Sequence, residues 1–149
     1  MSLEFRRCEP SHIVSVSRIE QSSFGDPWSL KSFLRTLESD IFDFFVCEDE
    51  SGEAVGYIIG CAVMPECEIA NIAVDPAKRR MGIGRFLLES YIELMESRGA
   101  DTFFLEVRRS NIPAIALYTS LRFKPSGIRK KYYKNPVEDA LLMTRRTER

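Results

Sequence analysis

Residues 67–107 constrain the fold more than any other stretch of the chain. Two short runs rich in branched and aromatic residues, 67–74 and 102–107, flank a longer segment in which Ile83, Leu87, Tyr91, Leu94 and Met95 recur at helical spacing. Asp75-Pro76 stops the first run, and Gly99 follows the helix as its C-cap. A strand, a helix and a second strand in that order make a crossover that lays the two strands parallel. A second crossover follows. Asn111 caps a helix running to about Leu121, with Pro113 in its first turn, and a strand is expected at 123–125. Two such crossings imply a mixed, partly parallel sheet with helices on both faces.

The remaining segments fit around this unit. A short strand is expected at 5–8. Ser11 then reads as an N-cap for a helix with Ile13, Val16 and Ile19 on one face. Phe24-Gly25-Asp26-Pro27-Trp28 breaks the pattern, and Ser29 caps a second helix carrying Leu30, Phe33, Leu34 and Leu37. Strands are expected at 42–48 and 54–63, around turn-forming residues 49–52, and Pro65 turns the chain into the strand at 67–74. After 123–125 comes a basic loop and a last strand near 140–144. The expected order is βααβββαβαββ: an α/β fold with a twisted mixed sheet of about seven strands and about four helices, in one domain spanning 1–149.

Composition excludes several classes. The chain has 149 residues, enough for a sizeable core, and no apolar run approaches the ~20 residues of a membrane span. Residues 1–7 lack the apolar core and small-residue cleavage site of a secretory signal, so a cytoplasmic protein is expected. The four cysteines, Cys8, Cys47, Cys61 and Cys67, form no C-x-x-C pair, and His12 is the single histidine. Buried reduced thiols are expected, and no metal site. The net charge of −1 hides an asymmetry: residues 1–75 hold 5 basic and 14 acidic side chains, residues 76–149 hold 16 and 8. That division suits a second half that holds a polyanion and a first half that faces a cation. The overall balance does not suit a general nucleic-acid binder, and neither nucleic acid nor membrane is an expected partner. A monomer or weak dimer is expected.

The polyanion site is expected at Arg79-Arg80-Met81-Gly82-Ile83-Gly84-Arg85, between the strand at 67–74 and the long helix. Phosphates need clustered backbone N–H groups, a helix N-terminus and little side-chain bulk. Gly82 and Gly84 allow close approach, and Arg79, Arg80 and Arg85 add charge. No Gly-Lys-Ser/Thr follows, which excludes a P-loop, and the three-glycine spacing of a dinucleotide fold is missing.

The neighbouring residues narrow the choice. Asn71-Ile72-Ala73-Val74-Asp75-Pro76 followed by Arg79-Arg80-Met81-Gly82-Ile83-Gly84 resembles the central motif of GNAT acetyltransferases. Leu105-Glu106-Val107-Arg108, Ser110-Asn111, Ala114-Ile115-Ala116-Leu117-Tyr118, Ser120-Leu121-Arg122-Phe123, Arg129, Tyr132-Tyr133 and Glu138-Asp139-Ala140 extend the resemblance to the RimI-type branch, the N-α-acetyltransferases of ribosomal proteins and their archaeal relatives. The resemblance is dense from Asn71 to Met143 and thin before it, apart from Pro27-Trp28-Ser29. It implies that acetyl-CoA lies between two splayed strands, 69–74 and 103–107. The pantetheine arm would pair with Ile72, Ala73 and Val74, and the pyrophosphate would meet the amides of residues 80–85. Asn111 would touch the cofactor arm as well as cap its helix. The family places glycine where this chain has Arg122, at a helix end that often needs positive φ.

Acyl transfer from a thioester to an amine needs a base, an oxyanion donor and a proton for the leaving thiolate. Glu106, mid-strand among Phe104, Leu105 and Val107, is the candidate base, with an ion pair to an arginine as its alternative role. Tyr118 resembles the family's thiolate-protonating tyrosine, and a core tyrosine is the other reading. A backbone N–H of residues 72–74 is the expected oxyanion donor. Phe24, Trp28, Tyr132 and Tyr133 are candidate substrate walls or core residues. Glu20, Asp26 and Glu138 are candidates to attract an ammonium group. An α-amine, with pKa near ~8 against ~10.4 for lysine, asks less of a base. The implied substrate is a protein N-terminus beginning with a small residue such as Ala or Ser, a ribosomal protein among the candidates. Two rivals stay open: a GNAT enzyme acting on lysine side chains or a small amine, and a non-catalytic acetyl-CoA-binding or ribosome-assembly module.

Overall fold

The computed structural model describes residues 2–147. Its strands are β1 (Glu4–Arg7), β2 (Phe42–Glu48), β3 (Ala54–Val63), β4 (Glu66–Val74), β5 (Thr102–Arg108), β6 (Lys124–Tyr133) and β7 (Glu138–Arg146). Its α-helices are α1 (Ile13–Ser23), α2 (Leu30–Glu38), α3 (Ile83–Ser97) and α4 (Ile112–Ser120). All seven strands join one sheet in the order β1-β2-β3-β4-β5-β7-β6. The crossover through α3 makes β4 and β5 parallel neighbours. The crossover through α4 steps over one position, which β7 fills by pairing antiparallel to both β5 and β6.

The two faces of the sheet are covered by different helices. α1 and α2 pack Ile13, Val16, Ile19 and Phe33 against Phe44, Tyr57 and Ile59 on one face. α3 and α4 pack Leu87, Leu88, Tyr91 and Tyr118 against Phe103, Leu105 and Phe123 on the other. Burying each large apolar side chain stabilises the fold by roughly 1.5–3 kcal/mol. In β5 the strand alternation sends Phe103, Leu105 and Val107 into the α3/α4 core. Phe104, Glu106 and Arg108 are thereby left on the α1/α2 face.

One irregularity organises the site. Ile59 pairs with Asn71, yet Gly60 pairs with Ile69, so Ala70 stands unmatched in a β-bulge. The parallel ladder between β4 and β5 ends at the same place, at Ile69 opposite Leu105. Beyond it β4 continues to Val74 and β5 to Arg108 with no pairing between them.

Two expectations need correction. Ser11 caps nothing: it lies in a 3-10 turn, Pro10–His12, whose N-cap is Glu9 with its N–H donated to His12 Nδ1 at 3.0 Å. The expected basic loop after residue 125 is mostly strand, because β6 runs to Tyr133 and β7 starts at Glu138. β6 is an exposed edge without apolar alternation, so its pairing with β7 left no period in the sequence. Arg122, at the position where the family has glycine, adopts φ 72°. It lets the Phe123 N–H reach Tyr118 O at 3.0 Å and close α4. A side chain in this conformation costs about 1 kcal/mol. Arg122→Gly is expected to raise the unfolding free energy by about 0.5–1 kcal/mol, read from urea denaturation. A loss of stability would show that contacts of the arginine outweigh its strain.

Candidate active site

The unpaired ends of β4 and β5 leave a strand edge open. The Asp75 N–H donates to Val55 O at 2.8 Å, and counting back through the antiparallel register turns the N–H and C=O of Ala73 and Asn71 toward β3. The same groups of Ile72 and Val74 therefore face the split. Of the three residues expected to meet a pantetheine arm, Ile72 and Val74 present their backbone to the split and Ala73 presents its own to β3.

At the mouth of the split the chain turns into α3. Arg80 and Gly82 take left-handed conformations, φ 68° and 80°, and Ile83, almost fully buried, anchors the turn in the core. The first helical bond runs from Phe86 N–H to Gly82 O, so the backbone N–H groups of residues 83–85 have no acceptor within the helix. Free amides at a helix start, alternating through left-handed residues, form a cradle for an anion. Arg80 and Met81 are exposed beside it. Arg79 leans instead onto Ser23 Oγ at 3.3 Å, and Arg85 onto Ser120 Oγ at 2.6 Å and Glu89 at 3.1 Å. Of the expected trio of guanidinium groups, Arg79 and Arg85 thus have protein partners beside the turn. Across the split, the exposed Asn111 accepts from Ala114 N–H at 3.3 Å and caps α4.

Glu106 and Tyr118 lie on opposite sides of β5. Glu106 sits on the α1/α2 face with its side chain 22 % exposed, 3.5 Å from Arg129 Nε. The Tyr132 hydroxyl lies near it, and Arg129 stacks over the Tyr132 ring at 5.5 Å. Tyr118 is buried on the α3/α4 side. Burial, and secondarily the phenol of Tyr133, raises its pKa well above the ordinary tyrosine value. Burial, then the charge of Glu106, pushes Tyr133 up to about 12. Tyr133 thus stands near both groups.

The other residues expected on the acceptor side have the following surroundings. Glu138 accepts from Ser110 N–H at 2.6 Å and pairs with Arg108 at 3.2 Å. Ser110 is the main reason its pKa falls below the usual carboxylate value. Arg108 also reaches the carbonyls of Lys134 and Pro136 and lies 4.6 Å over the Tyr133 ring, so it staples the β6–β7 turn. Phe24 and Trp28 are half-buried against the α1/α2 core, with Trp28 5.4 Å from Phe33. Asp26 is exposed on the loop between them. That loop meets the β6–β7 turn: a Cβ added to Gly25 would stand 2.0 Å from Asn135 O. Glu20, expected at most as an ammonium attractor, is buried in α1 and accepts from Trp28 N–H, Asn71 Nδ2 and the Tyr57 hydroxyl. Its adjacency to Ile19 on the apolar face of α1 was the signal for that burial.

Residues 13–123 match the acetyltransferase (GNAT) family. The chain belongs to the GNAT acetyltransferase family. It is 39% identical over 137 residues, 91% of both chains, to the [ribosomal protein bS18]-alanine N-acetyltransferase of Escherichia coli K12. The crystal structure of the ribosomal-protein-S18-alanine N-acetyltransferase from Escherichia coli superposes with a TM-score of 0.90 at 36% identity, covering 99% of this chain and 96% of that one. Ard1 from Thermoplasma volcanium follows at 0.88 and 29% identity, with both chains fully covered. The chain is thus an acyltransferase of the GNAT fold.

Among the described residues no group of histidine, cysteine, aspartate or glutamate is placed to hold a metal ion. The cysteines are free thiols, and burial raises Cys8 to about 12 and Cys47 to about 11. Gly82 has open space around its Cα but a positive φ, so a branched residue there disturbs the cradle through the backbone. Gly82→Val is expected to weaken CoA binding about tenfold, or ~1.4 kcal/mol, by calorimetric titration. Unchanged affinity in the folded variant would remove the cradle from the binding site.

Proposed function

We propose that this chain transfers the acetyl group of acetyl-CoA to the N-terminal α-amine of a protein. The observation that carries this reading is its 39% identity, over 91% of both chains, to an enzyme named [ribosomal protein bS18]-alanine N-acetyltransferase, and Glu106 and Tyr118 on opposite faces of β5 support it. The substrate begins with a small residue such as Ala or Ser, and a ribosomal protein of the S18 kind is the first candidate. The acetyl donor and the reduced thiols fit a cytoplasmic enzyme.

The residues supply each requirement of direct transfer. The cradle at 80–85 and the open edge at Ile72 and Val74 suit the pyrophosphate and pantetheine, with Asn111 across from them. A strand N–H at that edge donates to the oxygen of the tetrahedral intermediate. The amine nitrogen bonds to the carbonyl carbon, Glu106 takes the proton the nitrogen sheds, the C–S bond breaks, and the Tyr118 hydroxyl protonates the departing sulfur. Arg129 holds the carboxylate toward Tyr132, and the arriving ammonium competes with that guanidinium for it.

The acceptor side favours a chain end. The approach of Gly25 to Asn135 joins the two walls, Phe24 to Trp28 on one side and the β6–β7 turn with Tyr132 and Tyr133 on the other. A terminus threads beneath such a bridge. A lysine brought in from mid-chain must carry its backbone past it, and its amine needs roughly two more pK units of help.

A peptide with a free alanine N-terminus and an internal lysine, incubated with acetyl-CoA near neutral pH, is expected to carry the acetyl group on its α-amine, located by fragmentation mass spectrometry. Acetylation mainly on lysine would transfer the assignment to a lysine-directed enzyme. Tyr118→Phe is expected to lower kcat roughly 10²-fold while leaving acetyl-CoA affinity intact. Because the folded pKa of Tyr118 is raised, its proton stays in place across neutral and mildly alkaline pH. The rate is therefore expected to climb as the amine deprotonates and then hold to about pH 9.5. An alkaline fall in the wild type that vanishes in Tyr118→Phe would contradict this.

A further inference from the structure

Glu20 is a carboxylate buried to 2 % exposure beneath the acceptor side of the site. Its Oε2 accepts from the Trp28 backbone N–H at 2.8 Å. Its Oε1 accepts from Asn71 Nδ2 at 2.8 Å and from the Tyr57 hydroxyl. Among the described residues no cation pairs with it; its partners are neutral donors. A carboxylate in such a place costs several kcal/mol unless fully hydrogen-bonded, and an apolar residue would pack there more cheaply.

The three donors explain what the carboxylate joins. Asn71 is the residue after the bulge, where β4 leaves β5 and its open edge begins. Tyr57 lies in β3 opposite Ala73. Trp28 ends the loop that carries Gly25, whose contact with Asn135 bridges the acceptor cleft. One side chain therefore ties the acceptor wall to the strand edge assigned to the thioester. Asn71 and Glu106 both lie on the α1/α2 face, so the tie sits on the side from which the amine approaches.

We propose that Glu20 is a positioning residue for the acceptor: it holds the 24–28 loop at a set height over the β4 edge, so that an amine entering beneath the loop arrives in line with the acyl carbon. The inference rests on the N-terminal transferase reading and adds to it a residue that touches neither the reacting atoms nor the cofactor cradle.

The consequences divide between the two substrates. Releasing the loop disturbs the acceptor and leaves the amides at 80–85 untouched. Misplacement of about 1 Å in such a wall costs roughly 10- to 100-fold. Glu20→Ala is expected to raise the peptide KM by that factor, with the acetyl-CoA KM within about twofold of wild type. Glu20→Gln keeps an oxygen for the Trp28 N–H, while Asn71 can flip and the Tyr57 hydroxyl can rotate to accept from the new amide. It is expected to recover most of the peptide KM.

Steady-state kinetics of wild type, Glu20→Ala, Glu20→Gln and Asn71→Ala, with an alanine-initiated peptide and acetyl-CoA varied in turn, tests this. Asn71→Ala removes one bond to Glu20 from a half-buried position, so it keeps the test open should Glu20→Ala fold poorly. It is expected to raise the peptide KM several-fold without affecting acetyl-CoA. A peptide KM that stays at the wild-type value in Asn71→Ala, or one that rises together with the acetyl-CoA KM, overturns the proposal while the N-terminal reading stands. A wild-type enzyme that leaves the peptide unmodified overturns that reading and this inference with it.

Discussion

The parallel pairing of β4 with β5, and its abrupt end at Ile69 and Leu105, is the constraint on which the rest depends. Below that point the two strands are the middle of a continuous sheet, buried on one face by α3 and α4. Above it the strands are the walls of a slot. The bulge at Ala70 marks the change, since an extra residue in β4 bends that strand away from β5 while its pairing with β3 continues. A bulge inside a central strand would ordinarily expose backbone groups to no benefit. Here the groups it frees, on Ile72 and Val74, are what a thioester and its amide-bearing arm require.

Around that slot the fold separates two tasks. The side of the sheet covered by α3 and α4 supplies the anion cradle and Tyr118, and the chain there is basic. The side covered by α1 and α2 supplies the acceptor walls, Glu20 and much of the acidic half of the chain. Glu106 stands on that second face, yet belongs to the same strand whose other side packs against the core beside Tyr118. The proposed base and acid thus lie on opposite faces of one strand, a consequence of the two-residue period of β5. Burial at Tyr118 raises its pKa, so the phenol is protonated at neutral and mildly alkaline pH.

Much of this was legible in the residues. The bounds expected for the strands at 42–48 and 54–63 are those of β2 and β3, because turn residues punctuate strong apolar runs. The helix from Ile83 announced itself by period and the caps at Ser29 and Asn111 by chemistry. Glu106, Tyr118 and the 79–85 turn were named from residue type and neighbourhood. What escaped notice depends on contacts distant in the chain. The β6–β7 hairpin carries polar residues on an open edge, and only partner strands define it. Ser11 lost its capping role to Glu9 and His12, a pairing that no simple spacing rule suggests. The contacts of Arg79 with Ser23 and of Arg85 with Ser120 exist only in the folded chain. Glu20 was a candidate to attract an ammonium group, and its bonds to Tyr57, Asn71 and Trp28 form only in the folded chain.

The central claim is that the frayed end of the β4–β5 ladder is the acyl-transfer slot. Residue-resolved amide exchange by NMR, with and without acetyl-CoA, tests it at the atoms concerned. The Ile72 and Val74 amides are expected to exchange quickly in the free protein and to become protected on binding. The Asn71 and Ala73 amides, already bonded to β3, are expected to exchange slowly in both states. If acetyl-CoA leaves Ile72 and Val74 unprotected while protecting amides elsewhere, the slot is not where the thioester lies.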